Sequence, residues 1–547
     1  METTWYSGDL KQALRLAAQY VNGMLDRDRD EEPFFALHGQ GAGVPVVGIH
    51  ALEIGIPHVT GRALDCLFNA EATLGEAMDS HAEAVYRRYF YSCMENEAHL
   101  PVYYKEGRPL VELHNLREAC EGLAWLIRAR RDPRAMKIAD GFLATLTAVT
   151  DERGYVIREK VAEAGLQAYF TGIGNGTGTI GRLAGALLNL YDATGDERAW
   201  QLAGRMAAGS LAFFGEDGEM GEAAGTHIHS ITSTLSGMLE YGYLSGRREL
   251  VDRVRAVYGN PKGLPQVLYS TGWIKEQIRV PGQVQGEVNQ QGDALEIQLL
   301  LGSHEPDGAY WYGEAEKNMR SVILPSQVLR DDFFPVMEEP TEDRYRDIRR
   351  RCIGGFGFPM PSAHLEHPGS ALNTIDITQG AVQGIAWFTR HIAVDKEGAT
   401  QINLFFDWDN ELARVESALP VEGRVAVIPK RDGTLRVRVP SALVEGSLRF
   451  ERAGGEAAYA MDNGYAVLEG CRAGERVTMT FIPLDFHYGE TYYPGTPEET
   501  VYEVYRHGEQ VAAVLPIRGI YPLYENWPLA IPGLEEAAVQ IRERVSV

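Results

Sequence analysis

Residues 116–146 read LREACEGLAWLIRARRDPRAMKIADGFLATL, and this stretch decides the fold. Leu116, Cys120, Leu123 and Ile127 recur at helical spacing, Arg131-Asp132-Pro133 interrupts, and Met136, Ala139, Phe142 and Leu146 resume the pattern. The stretch therefore predicts an αα-hairpin. The same grammar returns with Ile180, Leu183, Leu187 and Leu190, the break Thr194-Gly195-Asp196, and a second helix through Trp200 and Met206. It returns again from Leu235 to Leu244, across Ser245-Gly246-Arg247, and on from Glu249 to Val257. Three hairpins spaced about 50 to 60 residues apart exceed the repeat lengths of common helical solenoids. Long, non-identical loops between them favour a closed toroid, because such loops can gather at one rim and build a pocket.

Working outward, the helical pattern runs from about Asp9 to Ser326, and a last helical segment, about Thr378 to His391, closes it. The stretch Asp331 to Arg351, rich in both charge signs, reads as a solvated excursion. From Gln401 the period changes to two. Leu435-Arg436-Val437-Arg438-Val439 alternates after the Asp432-Gly433 turn, and Arg424 to Ile428, Gly464 to Leu468 and Arg476 to Phe481 read as further strands of an antiparallel β module. The expected division is a helical catalytic domain over 1–395, a β-sandwich over 396–490, and a C-terminal extension over 491–547 that packs on both.

Composition bounds the function. At 547 residues, 45% hydrophobic and 23% charged, the chain can bury a large core. A formal net charge of −24 argues against nucleic acid or an acidic membrane as partner, since neither offers a counter-charge. Five cysteines, Cys66, Cys93, Cys120, Cys352 and Cys471, lack metal-ligand spacing and are expected as packed thiols. Met1-Glu2-Thr3-Thr4-Trp5 has neither a basic nor an apolar leader region, and no run approaches a membrane span, so a cytoplasmic location is expected. A homodimer paired through the β modules is considered for the assembly.

Three loops concentrate ionisable and amide groups where a toroid would present them to its cavity. Gly286-Glu287-Val288-Asn289-Gln290-Gln291-Gly292-Asp293 offers two carboxylates and three amides within eight residues, which suits a sugar site with acid/base groups and hydroxyl partners; the alternative is a helix-capping loop. Glu222, Thr226, His227 and His229 form the second group. Metal binding there needs a third ligand that no spacing identifies, so substrate hydrogen bonding is expected and no metal or other cofactor is assigned. The third is His364-Leu365-Glu366-His367-Pro368-Gly369-Ser370, leading through Asn373 to Asp376, which reads either as an N-cap or as a catalytic carboxylate. Arg62 with Asp65, and His114-Asn115-Leu116-Arg117-Glu118, are read as ligand contacts or buried salt bridges. Trp273, beside Lys275 and Glu276, is a sugar platform or a core residue.

With these segments laid out, the chain resembles the glycoside hydrolase family 127 superfamily, the β-L-arabinofuranosidase-like proteins. The likeness is carried by Leu113 to Ala129, the loop and helix after Gly225-Thr226-His227, Gly292 to Leu301 and Asn373 to Ala381. In the β module it is carried by Leu435 to Pro440 and Gly464 to Leu468. It implies an (α/α)6 barrel followed by an antiparallel β-sandwich, with a pocket for a terminal sugar. The family places a zinc-bound cysteine nucleophile in a Cys-Cys pair before the last barrel helix, and a Glu-Thr-Cys ligand set where this chain has Gly292-Asp293-Ala294. Here the paired positions read Ile375-Asp376, so the thiolate–zinc mechanism does not carry over. The expectation is an exo-acting glycoside hydrolase acting on an oligosaccharide or glycoside, its terminal sugar a uronic acid or an arabinofuranose. Glu287 is the expected general acid and Asp293 or Asp376 the base or nucleophile. Glu222, His227, His229, Asn289, His364, His367, Arg62, Arg117 and Trp273 are expected to bind substrate, with Arg182 a further partner for a uronate. A polysaccharide lyase or sugar epimerase, and a non-catalytic carbohydrate-binding protein, are the alternatives.

Overall fold

Asp132 ends one helix and begins the next. Its Oδ1 accepts from the Arg134 amide at 2.9 Å, and Pro133 fills a first-turn position where no N–H is needed. Asp196 serves Arg198 in the same way at 2.9 Å, after Gly195 has closed the preceding helix at φ 69°, a left-handed conformation that glycine adopts without strain. The breaks in the sequence are thus paired caps, and each joins two antiparallel helices.

The computed structural model describes residues 8–39, 41, 43–105, 107–169, 176–364 and 371–524. Its longer helices are α1 (Leu10–Gly23), α2 (Ile56–Leu74), α3 (Ser80–Met94), α4 (Leu116–Arg130), α5 (Pro133–Val149), α6 (Leu183–Thr194), α7 (Glu197–Ser210), α8 (Ile228–Ser245), α9 (Arg248–Gly259), α10 (Val288–His304), α11 (Gly308–Asn318) and α12 (Ile375–Arg390). In the first hairpin α4 and α5 are the predicted pair, and the last helix begins at Ile375, three residues before the expected start. Helices α2, α4, α6, α8, α10 and α12 each pack on the next, and α12 returns to α2, closing a ring. The remaining helices back them: α3 on α2, α5 on α4, α7 on α6, α9 on α8, α11 on α10, and α1 across α2 and α12.

Ring helices are buried on nearly every face. In α10 every residue from Val288 to Gly302 is buried, polar ones included, so its side chains must satisfy one another instead of water. Close approach is made through glycine. A Cβ added at Gly292 would strike the Gly380 carbonyl, and one added at Gly61 would strike the Glu118 carbonyl.

A small sheet sits at one end of the ring. Strand β1 (Glu32–His38) pairs antiparallel with β2 (Val47–His50) and with β3 (Ala371–Thr374), in the register Ala36 to Thr374 and Leu37 to Asn373. This pairing fixes where α12 starts. The excursion expected over 331–351 is tied down here: Asp343 is wholly buried, accepting from Arg351 and from Arg27, each at 2.7 Å.

The β-rich region begins at β4 (Ala393–Lys396), followed by β5 (Ala399–Ile402), β6 (Trp408–Asp409), β7 (Ala413–Ser417), β8 (Arg424–Pro429), β9 (Gly433–Arg438), β10 (Arg449–Arg452), β11 (Gly455–Glu456), β12 (Ala460–Asp462), β13 (Tyr465–Cys471) and β14 (Val477–Thr480). They form a five-stranded sheet in the order β12-β13-β9-β5-β4 and a six-stranded one in the order β6-β7-β8-β14-β10-β11. The expectation of a wholly antiparallel module is corrected at one pair: β5 and β9 run parallel, because the chain leaves the first sheet after β5, builds β6 to β8 of the second, and re-enters the first in the same direction. The expected boundaries after 395 and 490 each fall inside a strand. The first falls within β4 and the second within β15 (Asp485–Tyr492), which pairs with β16 (Thr500–His507) and that with β17 (Gln510–Leu515) in a third sheet. This third sheet lays Tyr492, Tyr493 and Tyr502 against Tyr269 and Trp273 of the segment before α10. Among the described residues no helix is long and apolar enough to cross a membrane.

Candidate functional site

The N-terminal ends of the ring helices meet in one polar cluster with Glu118 at its hub. This residue of the first turn of α4 is wholly buried, and its Oε1 lies 2.9 Å from Arg62 Nη2 and 2.6 Å from Arg182 Nη2. Arg117 Nη1 is 3.7 Å and His58 Nδ1 3.9 Å from the same oxygen. Burial opposes the charge of Glu118, but Arg182 and Arg62 outweigh it and hold the carboxyl well below its usual range. Burial, with Arg182 second, keeps His114 neutral by pushing its pKa well below that of free imidazole.

A chain of amides runs from this hub round the ring. Arg62 Nη1 donates to Gln379 Oε1 at 2.5 Å, Gln379 donates to Asp65 and to Gln383 (2.7 Å), and Gln383 donates to Glu296 at 2.6 Å. Glu296 also accepts from Ser236 at 2.9 Å. Four ring helices are stitched together by these bonds.

Asp376 lies in the first turn of α12 but does not cap it. Thr374 is the cap, accepting from the Ile377 amide at 3.3 Å, and it also donates to Asp376. The Asp376 carboxyl is thereby left facing His58, whose Nε2 is 3.5 Å away. Burial works against its charge, yet the hydrogen bond and charge of His58, aided by Arg62, hold its pKa down at about 2. The His58 ring stacks on His114 at 5.6 Å, and His227 in turn lies close enough to disfavour a proton on His114.

Helices α8 and α10 supply the other side. Glu287 occupies the cap position of α10 but makes no capping bond, so its carboxyl is free to turn inward. Its Oε2 is 3.4 Å from His227 Nε2 and 3.5 Å from His229 Nδ1. Asn289 Nδ2 reaches His229 Nδ1 at 3.0 Å, and Asp293 accepts from Thr232 at 2.8 Å. Burial raises Asp293 to about 6 against the pull of Arg117. Glu276, in the segment before α10, is raised to about 7 by burial and by the neighbouring Glu287. Asp376 (14% exposed), Glu287 (10%), His58 (9%) and His227 (8%) keep some side-chain exposure, and His114 and Gln383 are only partly buried.

Of the residues expected from sequence, Glu287, Asp293, Asp376, His227, His229, Asn289, Arg62 and Arg117 come together here. Four do not. Glu222 is exposed on the turn Glu222–Ala224. His364 is buried against Tyr521, ring on ring at 5.3 Å, and its strand pairs with Tyr521 and Pro522. Trp273 is 1% exposed within an aromatic cluster, its indole donating to Pro359 O at 3.2 Å, so it is a core residue and not a sugar platform. His367 lies outside the described residues. Sequence reasoning missed His58, Gln379, Gln383 and Thr232, and gave Glu276 no chemical role. A signal existed: His58, Arg62, Asp65 and Asn69 form a polar stripe at three-to-four spacing on an otherwise apolar helix, as do Asp376, Gln379 and Gln383.

No protein-family model and no curated protein matches the sequence. Solved structures do. A GH127 β-L-arabinofuranosidase from Geobacillus stearothermophilus T6 superposes with a TM-score of 0.56 at 14% identity, covering 84% of this chain and 77% of that one. A second GH127 β-arabinofuranosidase gives 0.57 at 12% identity over 84% and 79% of the two chains. The chain has the fold of the GH127 arabinofuranosidases. A further structure described as a glycoside hydrolase gives 0.52 at 12% identity over 89% and 84%.

The zinc-bound thiolate implied by the family resemblance does not fit the residues present. All five cysteines are buried, and burial pushes the thiols of Cys66 and Cys120 well above their usual value and that of Cys93 up to about 12. Cys120 donates to the Ala186 carbonyl at 3.1 Å, as a packed thiol does.

Proposed function

We propose that the chain is a carbohydrate-active enzyme, an exo-acting glycoside hydrolase, whose closed ring is an (α/α)6 barrel and whose five- and six-stranded sheets form a β-sandwich behind it. The reading rests on one arrangement. Asp376 lies against His58, His58 stacks on His114, and His227 acts on both His114 and Glu276, which ties the two carboxyl groups into one cluster. Asp376, held near 2, serves as the base or nucleophile, and Glu276, held near 7, as the acid that protonates the leaving oxygen. Glu287 gives up the acid role expected from sequence, because its Oε2 faces two imidazole nitrogens. The three arginines are already gathered on Glu118, which favours a neutral terminal sugar such as arabinofuranose over a uronate.

A screen of chromogenic monosaccharide glycosides, arabinofuranosides and glucuronides included, tests this with wild type beside Asp376→Asn and Glu276→Gln. Cleavage lost in both folded variants supports the reading. Cleavage that survives Asp376→Asn sinks it. The histidine cluster also suits a sugar epimerase, in which His58 or His227 would take a proton from carbon; deuterium entering an uncleaved sugar in heavy water would identify that chemistry.

A further inference from the structure

His227, His229 and Glu287 each present one donor atom to a common point, and the three atoms lie within 4.8 Å of one another. We propose that these residues form a binding site for a divalent first-row transition ion, held by two imidazole nitrogens and one carboxylate oxygen, with coordination left open toward the entering sugar. The site goes beyond the glycosidase reading and uses different donors from the thiolate set that the family resemblance implies.

Geometry carries the case. Ligand atoms about 2.0 to 2.2 Å from a tetrahedral zinc lie roughly 3.3 to 3.6 Å apart, and Glu287 Oε2 is 3.4 and 3.5 Å from the two nitrogens. The far side of the His227 ring is hydrogen-bonded as a ligand requires, and that of His229 is turned to a carboxylate. His227 Nδ1 is 2.8 Å from Ser230 Oγ, and His229 Nε2 faces Asp293 Oδ2 at 3.6 Å. Asn289 Nδ2 at 3.0 Å from His229 Nδ1 leaves the ring proton on Nε2 and a lone pair on Nδ1; an ion would replace the amide as its partner. Glu287 Oε2 is buried and has no hydrogen-bond partner of its own. Such an oxygen is costly beside two nitrogens unless something positive joins them. The His-x-His spacing supplied two ligands in the sequence, and the third comes from the cap of α10, some 60 positions on.

The test is metal titration of the full chain after chelator treatment, read without substrate. Zinc(II) should bind with a stoichiometry near one and raise the melting temperature, and cobalt(II) should develop visible absorption of a low-symmetry N/O site. Glu287→Gln and His227→Ala should abolish both responses. Asp293→Asn and Ser230→Ala should fold and weaken zinc by about 10- to 100-fold, while His81→Ala, an exposed histidine paired with Glu31, should change nothing. Failure of wild type to bind either ion, or unaltered binding by Glu287→Gln, overturns the site. Zinc binding with no glycoside cleaved would leave the site standing and remove only the glycosidase reading.

Discussion

Asp376 and Glu121 show how one polar interior holds carboxyl groups in opposite states. Asp376 is offered His58 and Arg62 and stays charged near 2, whereas Glu121 on α4, buried beside Asp65, is pushed up to about 7. Replacing Asp376 by Asn should lower kcat by about 10²- to 10⁴-fold with little change in melting temperature, as steady-state assays and thermal melts would show. Glu121 makes a pH-dependent prediction. Its folded pKa lies above the ordinary carboxyl value of about 4.5, so its contribution to stability is fully present below about 4.5 and is lost as pH rises through about 7. Glu121→Gln should therefore melt close to wild type at pH 5 and above it at pH 8, by up to about 3 kcal/mol of stability. Equal melting differences at both pH values would show that Glu121 titrates normally.

At the scale of elements, positions on α12 and the ring seams are decided by single small residues. Thr374 caps α12 and donates to Asp376. Thr374→Ala should cost about 1 kcal/mol and also reduce kcat, because the carboxyl loses the bond that aims it; Thr374→Ser should restore both. Gly61→Ala would drive a methyl into the Glu118 carbonyl and should cost about 1 to 3 kcal/mol, measured by denaturant unfolding. Elements were legible in the sequence where their signals are local. The caps Asp132 and Asp196 and the glycines after α6 and α8 announce themselves within a few residues. The parallel pairing of β5 with β9 was not, since both strands alternate in the same way whichever direction they run. The site was half legible for a related reason. Residues at helix starts such as Glu287 and Asp376 stand out by the density of polar groups around them, whereas His58 and Gln379 sit among apolar helix residues and acquire meaning only when two ring helices meet.

For the whole molecule, the ring and the third sheet share the work of holding the site. The segment bearing Glu276 is gripped from behind by β15 and the residue after it: Glu490 accepts from the Ser270 amide at 3.0 Å and from its hydroxyl at 2.6 Å, and Tyr493 Oη donates to Val284 O at 2.8 Å. Glu490→Ala should raise KM and lower kcat together while leaving the ring's cooperative melting intact, and an unchanged KM would mean that the segment stands without its brace. The seam between α2 and α12 carries a further consequence, for synthesis on the ribosome. His58 and Asp376 are separated by 318 positions, and Arg62 and Gln379 by 317. Five ring helices emerge before their sixth, so the nascent chain must wait with the inner faces of α2 and α10 uncovered and a stripe of arginines and carboxylates unsatisfied. The waiting intermediate is the form most open to chaperones and to association with its own kind, and translation pauses near the codons for α12 would lengthen that exposure more than pauses anywhere after it.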